Sequence, residues 1–424
     1  MVVAASATED GRPLLFKNRD NSSSYMVEMS VRNGDGYKYI AQFAFRNGVQ
    51  TGPWGGFNEK GFCIVNSVSY NLTELTNVSQ NSMVLEKALC ECVNTSDFEE
   101  IIERQESTMD IRANYGVIDA QGHAVLYEVG PNGYTKYDAN DEHVAPEGII
   151  IRTNYSLMGD VDQKAGKDRL IVAQRFVKEA KFHHQLSGRY ILQNLPRYLI
   201  NSSGISLYDS APVTWNDETK ASFDGYIPRY SSTSAMLIQG VRKNDNSSLT
   251  MSWAMVGPPM TTVAVPLFLT PNNILPEKVI ASHGSAWLCR KGQMLKKVLF
   301  PYDDKNIIDL SKLYNYEQTG IMQQILEIEN EIISRGIRMT EEAYTRGYVI
   351  EEKLMDYYAW LNSYLKYQYE NYFNRIETSV TSLTNRPMRS DGMWDISGKF
   401  LKDVSNYQGI IIKERKKMVK HINK

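Results

Sequence analysis

The chain has little cysteine, and what it has forms no pattern. Of its 424 residues only Cys63, Cys90, Cys92 and Cys289 carry thiols, with no Cys-x-x-Cys pair and no grouping with the six histidines. That spacing argues against a zinc finger or ribbon, and no metal or other cofactor is expected. Cys90 and Cys92 fall two apart on a helical stretch and so point to different faces. Each thiol reads as a small core residue. No run of about 18 apolar residues occurs, so no transmembrane helix and no membrane partner are expected. Neither sign of charge dominates: 47 Lys and Arg stand against 49 Asp and Glu, a net charge of -2, which gives no basis for nucleic acid as the main partner. There is no internal repeat and no low-complexity linker. No signal peptide precedes the first strand; the chain begins so abruptly that its compartment stays unknown, an exported location following if a leader preceded the given start.

What is present is the composition of an ordinary globular protein, 42% hydrophobic and 23% charged, long enough for two or three domains at roughly 150 residues each. The chain opens almost inside a hairpin. Val2-Val3 reads as a strand, Glu9-Asp10-Gly11 as a tight turn, and Leu14 to Asp20 as the return strand, ending in the polar series Lys17-Asn18-Arg19-Asp20. Chain ends normally fray at the surface, so a first residue placed within a sheet calls for a reason.

Strand patterns recur from Ser24 to Val31 and from Tyr37 to Phe45 around a turn at Asn33-Gly34-Asp35-Gly36. A glycine-dense loop, Gly52 to Gly61, feeds the apolar strand Phe62-Cys63-Ile64-Val65, which ends at Asn66. A buried amide needs partners, so Asn66 is either a structural amide or a donor in a site. Two helices follow over 82–105, the second opened by Ser96-Asp97-Phe98-Glu99 read as a capping box. Strands return at Tyr115–Asp119 and Ala124–Val129, with a turn at Ala120-Gln121-Gly122, and again at Ile149–Asn154, another apolar run with a polar end. Residues 164–200 are helical by period, and 226–270 read as three strands. The alternation of β-rich and helical blocks predicts an α+β layered core rather than a doubly wound parallel sheet. Several strands deliver a charged or amide group at their end, which is how a rigid scaffold builds a site.

The character changes near residue 311. Ile321, Ile325, Ile328 and Ile332 mark a long amphipathic helix, and Glu341 to Arg375 continues helically and rich in Tyr. The expected organisation is a core over 1–310, a helical extension over 311–380 and a C-terminal segment over 381–424 with a basic, solvated tail from Lys413. The long helices are candidates for pairing between copies, which would make a homo-oligomer.

Four segments, in order, resemble the N-terminal-nucleophile amide hydrolases, in the branch of the acyl-CoA:6-aminopenicillanate acyltransferases and choloylglycine hydrolases. They are Asp10-Gly11 with Leu15 to Asp20; Gly56-Phe57-Asn58-Glu59-Lys60-Gly61-Phe62, the most specific; Arg152-Thr153-Asn154-Tyr155; and Arg229 before Ser231-Ser232-Thr233-Ser234-Ala235. The resemblance covers about residues 1–270. It implies an αββα sandwich and attack on a linear amide of a small acylated amine by the thiolate of a first-residue Cys. The α-amine of that Cys, with a pKa of about 7.7–8.0, shuttles the proton. By the same resemblance Asp20 anchors the amine and nucleophile, Asn154 is an oxyanion or substrate donor, Arg229 organises the carboxylate, Asn66 lies near a second oxyanion position, and either Lys17 or Arg19 takes the basic position of the hairpin.

The sequence departs from that pattern at its first residue. Met1 is neither nucleophile nor base, and Cys63, in an apolar strand with no neighbouring His, is a poor substitute. Two expectations follow: an amide hydrolase or acyltransferase whose Cys lies just upstream of Met1, or an inactive relative that binds without turnover.

Overall fold

A computed structural model describes the chain except residues 22–25, 34, 73–79, 106–110, 283, 385–392, 396–399, 402–408, 414–415 and 421–424. The start of the strand expected from Ser24, the centre of the turn at Asn33–Gly36 and parts of the basic tail lie outside the described residues.

Two antiparallel sheets form the centre. The first has the order Ile149–Ile150, Val2–Val3, Leu14–Asp20, Ser232–Gln239, Met251–Met255, Ala264–Phe268. The second runs Gly133–Asp138, Ala124–Gly130, Ala113–Ile118, Cys63–Val68, Gly55–Asn58, Tyr39–Arg46, Met26–Arg32, with Val49–Gln50 beside Tyr39–Arg46. The Val2–Val3 and Leu14–Asp20 strands of the first sheet lie against Cys63–Val68, Ala113–Ile118 and Ala124–Gly130 of the second. The helices Asn81–Glu91 and Thr95–Gln105 cover the outside of the second sheet; Gly188–Asn194 and Ile321–Arg346 cover the outside of the first. The architecture is α+β, an αββα sandwich. Strands covered on both sides lose their polar face. All six residues of Ala113–Ile118 are buried for that reason, as are seven of the eight in Ser232–Gln239.

Helix and sheet meet through large side chains. Phe98, from the Thr95–Gln105 helix, packs edge-on against Tyr115 at 5.5 Å and Tyr127 at 5.3 Å, inside a cluster with Leu85, Leu89 and Ile102. Each such side chain taken out of water contributes about 1.5–3 kcal/mol. Between the sheets, Gly116 permits a close approach. A Cβ there would sit 2.9 Å from Val2 Cγ2 and 3.4 Å from Leu15 Cδ2.

The Ile321–Arg346 helix is tied down by a charge. Glu329 is fully buried and accepts from Arg197 Nη1 at 2.8 Å, Arg197 Nη2 at 2.9 Å and the Ala264 amide at 2.7 Å. Arg197, also buried, gives its remaining hydrogens to the carbonyls of Pro259, Thr262 and Gln193. The forked guanidinium–carboxylate geometry leaves neither charge unpaired.

The chain divides into a unit over Met1–Lys366 and a second over Tyr367–Lys424. The second contains the end of the Glu351–Thr384 helix and a four-stranded antiparallel sheet of Met393–Asp395, Phe400–Leu401, Gly409–Lys413 and Lys416–Lys420. No helix among the described residues is long and apolar enough to cross a membrane.

The strand expected to end at Asn66 runs on to Val68, and other boundaries also differ from the sequence expectation. The capping box sits two residues earlier: Asn94 Oδ1 accepts from the Asp97 amide, and Asp97 Oδ2 accepts from the Asn94 amide. Both registers satisfy the same side-chain rule, since Asn and Ser cap about equally well. The strand expected over 149–154 stops at Ile150, because Arg152 turns to the buried Glu128 at 2.5 Å. The strand expected from Tyr226 begins at Ser232. The helix expected to run through Gly347 ends there instead, in the left-handed conformation (φ 82°) that closes helices.

Candidate active site

The first strand, Val2–Val3, is shorter than the Leu14–Asp20 strand beside it. The Met1 amine donates to Phe16 O at 2.8 Å and the Phe16 amide to Met1 O at 2.9 Å. The adjoining strand runs on from there through Lys17 to Asp20. On the other side, the chain beyond Ile150 continues through Ile151–Asn154. A cavity of about 290 Å³ lies here, lined by Met1, Lys17–Asn21, Asn66, Ile151–Asn154 and Arg169, among others. The cavity ahead of Met1 is thus flanked by Lys17–Asp20 and by Ile151–Asn154.

Asp20 closes the far end. Its Oδ2 accepts Arg229 Nε at 2.9 Å and also Arg229 Nη2; its Oδ1 accepts the Ser232 hydroxyl at 2.7 Å. Ser232 Oγ in turn accepts the Arg229 amide at 3.0 Å. The register between the Leu14–Asp20 and Ser232–Gln239 strands shifts between Ser232 and Ser234. A bulge beside a carboxylate re-aims the side chains around it.

Lys17 is buried on the cavity wall and donates to Trp54 O and Asn66 Oδ1, both at 2.5 Å. Burial, reinforced by Arg19, pushes its pKa well below the usual lysine value. Lys17 thus gives one hydrogen to each of these two acceptors. The bond also orients the amide of Asn66, which lines the cavity and whose Nδ2 is engaged by no described residue. Arg19 points elsewhere and stacks over the Trp54 ring, 3.9 Å from its centre.

Asn154 is held at both ends. Its Nδ2 donates to Val68 O at 2.8 Å, and its Oδ1 accepts Arg169 Nη2 at 2.6 Å. The Arg169 pKa is lowered by burial and by Arg229, against an opposing pull from Asp20, which ties the Asn154 support electrostatically to the Asp20–Arg229 pair. Thr153 O accepts Ser67 Oγ at 2.7 Å and Asn114 Nδ2 at 3.0 Å, fixing the cavity wall that the short strand leaves.

Of the residues expected from the sequence, Asp20, Asn66, Asn154, Lys17 and Arg19 line one cavity, and Arg229 reaches it through Asp20. The sequence reasoning missed Arg169, whose place in the first turn of a helix reads as ordinary surface. Ser232 lies in the Ser-rich stretch that follows Arg229, but only its contact with Asp20 singles it out. The sequence reasoning also missed Lys296, buried on the Trp287–Leu299 helix, which donates to Tyr230 O at 2.7 Å and whose pKa burial pulls down to about 8. The thiols are poor nucleophiles: burial raises the pKa of Cys63, Cys90, Cys92 and Cys289, the last to about 11. Burial and the nearby Lys17 and Arg152 lower the Met1 amine to about 5. No three His, Cys, Asp or Glu gather into a metal cage among the described residues.

Residues 6–199 match the profile of a family described as acyl-coenzyme A:6-aminopenicillanic acid acyl-transferase. No curated protein matches the chain. Among solved structures, penicillin V acylase from Agrobacterium tumefaciens is 12% identical, with a TM-score of 0.34 over 64% of this chain and 86% of that one. A mutant conjugated bile acid hydrolase from Clostridium perfringens is 15% identical, TM-score 0.34, over 65% and 93%. A Caenorhabditis elegans orthologue of N-acylethanolamine-hydrolyzing acid amidase is 16% identical, TM-score 0.31, over 42% and 77%. Residues 6–199, which include Asp20, Asn66 and Asn154, carry the sequence pattern of the acyl-coenzyme A:6-aminopenicillanic acid acyl-transferase family, in agreement with the resemblance seen in the sequence motifs.

Proposed function

We propose that the cavity ahead of Met1 is the site of an amide hydrolase or acyltransferase acting on small acylated amines, completed by a Cys that extends the first strand into the slot. The observation that carries this reading is the slot itself. A residue added before Met1 continues the antiparallel register and lies opposite Lys17, and the next ones lie opposite Asn18 and Arg19. That path leads toward Asp20.

The roles follow from the partners. Asp20, held by Arg229 and Ser232, anchors the α-amine of the added Cys. The amine takes the thiol proton and the thiolate attacks the amide carbonyl carbon. The Asn66 Nδ2 hydrogens, with the amide oriented by Lys17, and Asn154, fixed by Arg169, are the donors for the oxyanion. Collapse of the tetrahedral adduct breaks the C–N bond, and the amine leaves with the proton from the α-ammonium. Water or a second amine then resolves the thioester.

A second reading has its own support. None of the chain's four thiols has a nucleophile's surroundings, so the cavity as given suits a protein that binds an acylated amine without cleaving it. The test is to generate chains with a Cys released as the first residue one, two or three positions ahead of Met1. Each is assayed on penicillin V, conjugated bile acids and N-acyl amino acids. Turnover by one of them, abolished by replacing that Cys with Ala, is expected. Saturable binding with no turnover in any of the three favours the second reading.

A further inference from the structure

A larger cavity, of about 510 Å³, lies on the opposite face of the first sheet, between it and the outer helices. Its floor is apolar: Leu14, Leu237 and Trp253 from three neighbouring strands. Leu192 and, from the Ile321–Arg346 helix, Ile333 and Ile337 form the walls. The volume is that of a small-molecule site. Nothing in the chemistry of the Asp20 cavity uses it.

One end is cationic. Arg12 lines the cavity and is 8% exposed. Its Nε and Nη2 both donate to Asp10 Oδ2, at 2.8 and 2.6 Å, while its Nη1 is buried without a hydrogen-bond partner. A buried guanidinium hydrogen left unmet is the exception in folded proteins and asks for an acceptor. Arg242 stands beside it. It gives Nε to Asp10 O at 2.7 Å, and both guanidiniums lie over the Tyr344 ring, at 4.3 Å for Arg12 and 5.7 Å for Arg242. Asp10 itself is occupied, accepting from Gln239 Nε2 at 3.0 Å as well as from Arg12. The end therefore offers guanidinium donors to an incoming anion, and Leu14, Leu237, Trp253, Ile333 and Ile337 offer hydrocarbon, while Glu9, Arg189 and Glu341 also line the cavity.

We propose that this cavity binds a single-chain amphiphile with an anionic head, of the class of a medium-chain fatty carboxylate. The carboxylate accepts from Arg12 Nη1 and the Arg242 guanidinium, and the alkyl chain lies along Leu237, Trp253 and Ile337. The site is separate from the Asp20 cavity, so the inference stands whether or not that cavity turns over an amide.

Calorimetric titration of the full chain with laurate, below its micellar concentration, tests it. One saturable site is expected. Dodecanol, which keeps the chain and loses the charge, is expected to bind at least tenfold more weakly, and dodecyltrimethylammonium not to bind there. Arg242→Gln, at an exposed position, and Arg12→Met are each expected to weaken laurate at least tenfold. Ile337→Trp, which fills the cavity, is expected to abolish binding with an unchanged circular dichroism spectrum. Ile227 lines the Asp20 cavity, and Ile227→Trp is expected to leave laurate binding as it was. The proposal is overturned if laurate shows no saturable binding, if Arg242→Gln and Ile337→Trp both bind like the parent, or if Ile227→Trp alone removes the binding.

Discussion

Replacing Glu329 by Leu is the most demanding perturbation of the frame that carries both cavities. Glu329 and Arg197 are 132 positions apart in the chain, and both are buried. The substitution strands a guanidinium that keeps three carbonyl partners but has no counter-charge, and it takes the acceptor from the Ala264 amide. Breaking a buried pair from one side costs about 3–5 kcal/mol, a large part of the roughly 5–15 kcal/mol that holds a domain folded. With a urea m-value of about 3 kcal/mol/M, a 4 kcal/mol loss moves the midpoint down by about 1.3 M. Urea unfolding followed by circular dichroism reads this directly. Arg197→Met combined with Glu329→Leu removes both charges and should be less destabilised than the two single changes summed, by about 2 kcal/mol or more. A Glu329→Leu cost below about 1 kcal/mol, or strict additivity in the cycle, would refute the claim that this pair holds the Ile321–Arg346 helix on the sheet.

The Lys296 amine has its pKa lowered from 10.5 to about 8 by burial. The unfolded chain therefore binds the extra proton between those values, and stability rises with pH across that window, by about 3 kcal/mol at about 1.4 kcal/mol per unit. Lys296→Met should lack this slope in denaturant titrations run from pH 7 to 10.5. Gly116→Ala places a methyl group 2.9 Å from Val2 Cγ2 and should cost about 1–3 kcal/mol by overpacking between the sheets; a melting temperature equal to the parent's would contradict the close approach. Asn94→Ala removes the side chain that caps the Thr95–Gln105 helix through the Ser96 and Asp97 amides. It should cost about 1 kcal/mol, whereas Ser96→Ala should cost little; the reverse ranking would restore the cap expected at Ser96.

The local grammar was readable. The opening hairpin, the turn at Ala120–Gly122 and the helical stretch after residue 164 follow from period and turn residues alone, because each is decided by neighbours within a few positions. Boundaries were less readable where two registers satisfied one rule, as with Asn94 and Ser96, or where a distant partner intervened. Arg152 looks like the end of a strand, and only the buried Glu128 shows why the strand has already stopped. Within the candidate site, the residues on recognisable motifs could be named beforehand. Arg169 could not, since its role depends on meeting Asn154 from a helix that carries no distinguishing pattern.

The order of residues alone shows that apolar runs give way to the polar ends Asp20, Asn66 and Asn154 and that Val2–Val3 belongs to a sheet. Those are properties of hydrophobic period and of polar residues that punctuate it. Long-range packing brings these ends around one cavity ahead of Met1, sets Lys17 against Asn66 rather than against a partner of opposite charge, and leaves a second cavity with a half-satisfied Arg12 behind the sheet. The reason is physical. Which polar group finds a partner after burial is settled by contacts between positions tens to hundreds of residues apart, and no local pattern records whether that partner is there.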